Sequence, residues 1–173
     1  MTAQAGTATA SAALTYAELL SHDEQETEQW HQWFRAHPEV LDSKMELAMQ
    51  HEVRGVLFHI FVVELRYGER LLEQPETPNE ALAKGSVDEL FAIGATARNK
   101  FREFMARATD ADWSKTISFQ TLSAGTISAS KRKCFVHAVL HGMRHWAQLA
   151  TALRQQGTKA EWHHDFMFSK AMQ

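Results

Sequence analysis

The 173 residues are 45% apolar and 23% charged, with a formal net charge of −3, the mix of a folded globular chain long enough for one sizeable core. That charge argues against a general nucleic-acid binder, whose affinity rests on neutralising phosphates. No apolar run reaches the roughly 18 residues that cross a bilayer, so no membrane span is expected.

Residues 1–13 are small and polar, without the basic and apolar regions of a signal peptide, and read as a flexible leader ahead of a single domain at 14–173. The first helical pattern covers residues 14–37 and stops at Pro38. Tyr16, Leu19, Leu20, Trp30, Trp33 and Phe34 form its apolar face around a polar centre, SHDEQETEQ. The second covers 45–73, ends before Pro75 and is apolar on most sides, so it should be largely buried. The third opens on a capping-box signal, Ser86 with Glu89 three residues on, and reaches about residue 108. Alternating β-type residues follow in TISFQTLSAGTIS, where a short hairpin or irregular crossover fits. The basic run Lys131-Arg132-Lys133 reads as a solvated start to the fourth helix, 130–156, with Gly157 suited to the left-handed position beyond its end. The expected fold is all-α: a four-helix bundle with a long crossover between the third and fourth helices. The single cysteine, Cys134, cannot form an internal disulfide, which suits a reducing compartment and so the cytoplasm.

Ten histidines invite a search for metal ligands. His22, His31 and His37 lie on the polar first helix and are expected to be solvated. His51 reads as a helix-start residue, and His163 and His164 fall in the tail. The informative group is His137, His141 and His145 in FVHAVLHGMRHWAQL. Residues four apart share a helix face, so two such imidazoles can reach one ion without unwinding the backbone. Randomly scattered histidines would give roughly 0.6 pairs at that spacing, so two overlapping pairs exceed chance without proving a site. The stripe around His141 also holds Cys134, Gln148 and Ala152, and large apolar residues flank it. A polar stripe so placed faces inward or lines a cleft, where a bound cation or internal hydrogen bonds would satisfy the imidazoles. On the second helix, His59 sits mid-helix among apolar residues, where solvation does not explain it. Gly55, one turn earlier, could leave room for a neighbour or ligand, and Glu52 and Arg66 could support a metal from behind its ligands.

These segments, LFHIFVVELRYGERL and then HAVLHGMRHWAQLATALRQQG, resemble the DinB/YfiT-like family. The likeness lies in a mid-helix histidine on the second helix, an H-x-x-x-H pair on the fourth followed by glutamine, and an "LR..G" ending. The closing WHHDF fits a tail of the same kind. The resemblance implies a four-helix bundle, often a homodimer, with His59, His141 and His145 holding one divalent ion such as zinc or nickel. His137 falls where many members carry a further histidine that is not a ligand. Many members read H-x-x-H-R-G-Q around the last ligand, whereas this chain reads His145-Trp146-Ala147-Gln148, a departure that touches the pocket's shape rather than the ligands.

Three neutral histidines would leave a divalent ion an open position, as in catalytic zinc sites. The leading expectation is thiol transfer to a small electrophilic substrate, with a low-molecular-weight thiol as cosubstrate. In that scheme His137 acts as a base or orients substrate, and Gln148 or Arg66 holds a polar group. Cys134 is expected to be a buried, inert thiol. A hydrolase using metal-activated water is the alternative, and a non-catalytic metal-binding bundle is a third. The HExxH pattern of zinc peptidases is absent, and the Glu-x-x-His spacings at Glu28 and Glu161 lie outside any bundle core expected here.

Overall fold

The computed structural model describes residues 13–47, 50–121 and 125–172, so the expected leader, apart from Ala13, lies outside the described residues. Four long helices dominate: α1 (Tyr16–Ala36), α2 (Val53–Leu71), α3 (Val87–Arg107) and α5 (Lys131–Gln155). A short helix α4 (Asp110–Ser114), two antiparallel hairpins, β1 (Lys44–Leu47) with β2 (Gln50–Glu52) and β3 (Thr116–Thr121) with β4 (Gly125–Ser130), and three short 3-10 turns accompany them among the described residues. Each of α1 and α2 packs against both α3 and α5, so the bundle closes in the order α1–α3–α2–α5.

Local chemistry sets the helix starts. Thr15 and Ser86 each accept from the backbone N–H three residues on, while Glu18 and Glu89 reach back to the cap N–H. Ser130 caps α5 alone, accepting from Lys133 N. Gly157, just past α5, has φ +83°, the left-handed value expected there. The TISFQTLSAGTIS segment is a hairpin with Thr116 opposite Ser130 and Thr121 opposite Gly125.

The second helix starts later than its apolar pattern suggested, at Val53 rather than Met45. Lys44 faces Glu52 across the β1–β2 pair and forms an ion pair with it, and Val53 N donates to Ser43 O at 3.1 Å. Met45 still reaches the core, but from a strand. His51 accordingly lies on β2, beside Glu46, and not on a helix.

Two apolar clusters fill the bundle. One gathers Trp30, Phe34, Ile60, Phe61, Phe91 and Trp146, and the other Leu20, Leu71, Phe101 and Phe135. On α1, α2 and α3 polar side chains fall between them. Arg98 on α3 donates to Asp23 Oδ2 at 3.3 Å and to Thr27 Oγ1 at 2.5 Å, both on α1, and stands 3.5 Å from Glu64 Oε2 on α2. Gly142 on α5 completes the layer, since a Cβ there would lie 2.7 Å from Glu64 Oε1. The polar centre of α1 is therefore buried: His22, Asp23, Glu26 and Thr27 face inward, contrary to the solvated face expected of them. Glu26 accepts from Trp30 Nε1 and Trp162 Nε1 and meets His164 Nδ1 at 2.5 Å, which ties the C-terminal tail to α1. Lys131 is also buried rather than solvated, paired with Glu73 and lying over the Phe104 ring.

Candidate metal centre

The histidine stripe of α5 does not enter the bundle core. It lines a cleft of about 1060 Å³ between α2 and α5, walled at one end by Phe119 and Ile127 of the β3–β4 hairpin. His59 comes from α2, His141 and His145 from α5, and one donor nitrogen of each lies within 4.8 Å of the other two. The ring centroids stand 5.0 Å apart for His59–His141 and for His59–His145, and 4.4 Å apart for His141–His145. The antiparallel-style side-by-side packing of α2 and α5 thus brings together residues more than 80 positions apart in the chain.

Hydrogen bonding orients the donors. His145 Nδ1 lies 2.8 Å from Gln148 Oε1, and a carbonyl oxygen can only accept, so the proton sits on Nδ1. The Nε2 lone pair is left facing His141 Nε2 at 3.1 Å and accepts from Arg144 Nη2 at 3.2 Å. Burial, with the neighbouring imidazoles and the Arg144 charge adding to it, pulls His141 down to about 3 and His145 to about 4. His59 is lowered as well, mainly by burial and then by Arg144 and Arg66. All three rings are therefore uncharged at neutral pH, the form that donates to a metal. His141 Nδ1 is buried and has no hydrogen-bond partner among the described residues. Three neutral imidazoles converging on one point, with one of them held in the correct tautomer, fit a metal ion.

The remaining expected residues divide. His137 is exposed at the cleft wall, 5.2 Å from Tyr67 and 5.8 Å from His141 between ring centroids, outside the converging set. Burial keeps it below the usual histidine range, with Arg144 and Lys133 contributing. Gln148 touches His145 and does not line the cleft, so it sets a tautomer where a substrate contact was expected. Arg66 lines the cleft, donating to Asn79 Oδ1 at 2.8 Å. Glu52 is turned to Lys44 and supports no histidine. The space beside Gly55 belongs to a neighbour, for a Cβ there would lie 2.8 Å from Gln50 Oε1. Cys134 is buried, and desolvation raises its thiol so that it stays protonated.

The cleft also holds residues not singled out by the histidine spacing. Arg70 stacks over Phe119 at 4.1 Å and pairs with Glu76 at 2.7 Å. Arg144, beside the ligand set, places Nη2 3.2 Å from His145 Nε2. Arg70 follows His59 by eleven residues, a same-face helical spacing that could have flagged it as the seven-residue spacing flagged Arg66.

Comparison with known proteins adds one match. The model of the DinB family matches residues 6–172. A search of curated proteins returns no match.

Proposed function

The chain belongs to the DinB family, and on that premise we propose that it is a metal-dependent enzyme that transfers a low-molecular-weight thiol to a small electrophilic molecule. The observation that carries the reading is the convergence of three uncharged imidazoles, from two helices, on a cleft roomy enough for a small substrate. His59, His141 and His145 would hold one divalent ion, zinc or nickel. Such an ion supplies Lewis acidity that lowers the pKa of a thiol or a water at its open position.

The chain's own residues do the rest. Gln148 fixes the His145 proton on Nδ1 and so keeps Nε2 available as a ligand. His137, uncharged at neutral pH and exposed to the cleft, would accept the proton that the thiol gives up. Phe58, Val62 and Val63 supply an apolar wall that removes water from around an electrophile. Cys134 takes no part, because its buried thiol remains protonated.

Metal analysis of untagged protein after dialysis tests the centre. Near one equivalent is expected, and His59→Ala should weaken the affinity on the order of a thousandfold by removing one of three ligands. Its metal-free form should unfold close to the unaltered protein, since the His59 side chain is half-buried and makes no hydrogen bond or ion pair among the described residues. Full metal retention in that variant would remove the site. Incubation of loaded protein with electrophiles, with and without each common cellular thiol, then tests the reaction. Turnover that needs no thiol would replace transfer by hydrolysis.

A further inference from the structure

The whole chain carries a formal charge of −3, yet the cleft concentrates the opposite sign. Its lining includes Arg66, Arg70, Lys84, Lys133 and Arg144, against a single carboxylate, Glu76. Glu76 is shared by Arg70 at 2.7 Å and Arg66 at 3.6 Å. Among the described residues, Lys84, Lys133 and Arg144 have no carboxylate within ion-pair reach. Outside the cleft several guanidinium groups meet carboxylates, Arg35 with Asp88, Arg54 with Asp42, Arg98 with Asp23 and Arg102 with Glu24, while Arg132 and Arg154 stand exposed on α5 without one among the described residues. Lys84, Lys133 and Arg144 are exposed at the cleft's mouth, where a surplus of positive charge draws anions in.

Arg144 is the sharpest case. Its guanidinium has no carboxylate and instead stands 3.2 Å from the His145 nitrogen that faces the converging point. A divalent cation held by three neutral histidines keeps its full charge, and a guanidinium at contact distance from a ligand would then oppose it. An anionic group between the two relieves both. We propose that the cleft takes a small carboxylate-bearing molecule, with Arg144 holding the acid group beside the histidine centre. Guanidinium and carboxylate match as a two-pronged pair, a geometry that an ammonium group lacks. The apolar wall of Phe58, Val62 and Val63 faces the same space and suits a short hydrocarbon body behind the acid group. Lys84, its Nζ 4.7 Å from the Phe58 ring, and Lys133 add attraction around the rim. The proposal rests on the metal-centre reading for the placement of the reacting atom, but the anion site itself is made of this chain's cations.

Cobalt-loaded protein provides the test, since a thiol reaching the ion gives a charge-transfer absorption. The probes are 3-mercaptopropionate and its amide, alike in shape and different in charge. The acid should bind about tenfold tighter than the amide, the worth of one charge-assisted contact. In Arg144→Gln the ratio should collapse to about twofold or less, with the amide's own affinity unchanged. Arg132→Gln, on the same helix but outside the cleft lining, should keep the tenfold ratio. Equal affinities in unaltered protein, or a preference that survives Arg144→Gln, overturn the proposal. If the protein takes up no cobalt, the metal reading fails by itself. Benzoate against benzamide, titrated into metal-free protein by NMR, then decides the anion site. Benzoate-specific shifts at the Val62 and Val63 methyls that vanish in Arg144→Gln support it, and their absence from unaltered protein overturns it.

Discussion

Two polar clusters interrupt the apolar packing of this bundle, and they solve the same problem in opposite ways. The Asp23–Glu64–Arg98 layer is sealed among four helices and balances charge internally. The His59–His141–His145 group opens on a cleft and carries no charge of its own. Burial of ions is costly, so the sealed cluster survives by pairing a guanidinium with carboxylates, one of which stays protonated: burial pushes Glu64 up to about 8. Neutral imidazoles cost less to desolvate, and their lone pairs stay available to a cation from outside. The first arrangement suits holding helices in register, and the second suits binding.

Removing one member of each cluster should separate those roles. Arg98→Met strands two carboxylates in the core, one of them 0% exposed, and should cost about 3–5 kcal/mol by urea unfolding. The loaded variant should still bind metal wherever it remains folded, because Arg98 touches none of the three histidines. A midpoint unchanged by Arg98→Met would mean that the sealed layer does not hold the bundle together. The smaller counterpart lies at the cleft. Gln148→Leu keeps the side chain's bulk and removes the acceptor for His145 Nδ1, so metal affinity should fall roughly 10- to 100-fold. Unfolding of the metal-free variant should barely change, since Gln148 is exposed. A drop in stability without a drop in affinity would assign Gln148 a structural role instead.

The contrast also marks what could be read from the chain alone. The open cluster was legible in part: helical spacing is local and offered the α5 pair and His59 as candidates, and the family resemblance joined them into one site. His141 and His145 share a face at four residues' separation, and His59 stands out among apolar neighbours. Caps were legible for the same reason, and Ser86 with Glu89 forms the reciprocal bonds its spacing implies. The sealed cluster was not. SHDEQETEQ has the composition of a solvated face, and what makes it a core segment is Arg98, 75 residues from Asp23 and itself set in a charged stretch of α3. Nor did Met45 to Glu52 betray a hairpin, because its apolar positions fit either period and the deciding contacts, Lys44 with Glu52 and Val53 with Ser43, are specific pairings rather than a pattern. The cationic cleft draws on α2, the loop after it and α5, so its charge surplus appears only once those segments are assembled.

The two clusters should finally part company in their response to pH, in the metal-free protein. The histidines are lowered on folding from 6.5, so their contribution is fully present above 6.5 and is lost as pH falls toward 3 to 4. Glu64 runs the other way. Below 4.5 it is protonated both folded and unfolded, and its contribution is complete; between 4.5 and 8 the unfolded chain releases the proton while the folded one keeps it, and stability declines. From pH 6.5 to 8 the histidines no longer change, so the slope there belongs to the sealed layer, amounting to at most about 2 kcal/mol for one proton. Glu64→Gln replaces a neutral acid by a neutral amide of the same shape, which preserves the close approach of Gly142 and leaves Asp23, itself raised by burial, as the one carboxyl beside Arg98 in the layer. Urea midpoints of that variant should stay level from pH 6.5 to 8 while those of the unaltered protein fall. A parallel fall in both would show that the proton is not held at Glu64 but elsewhere in the layer, Asp23 being the other carboxyl that burial raises.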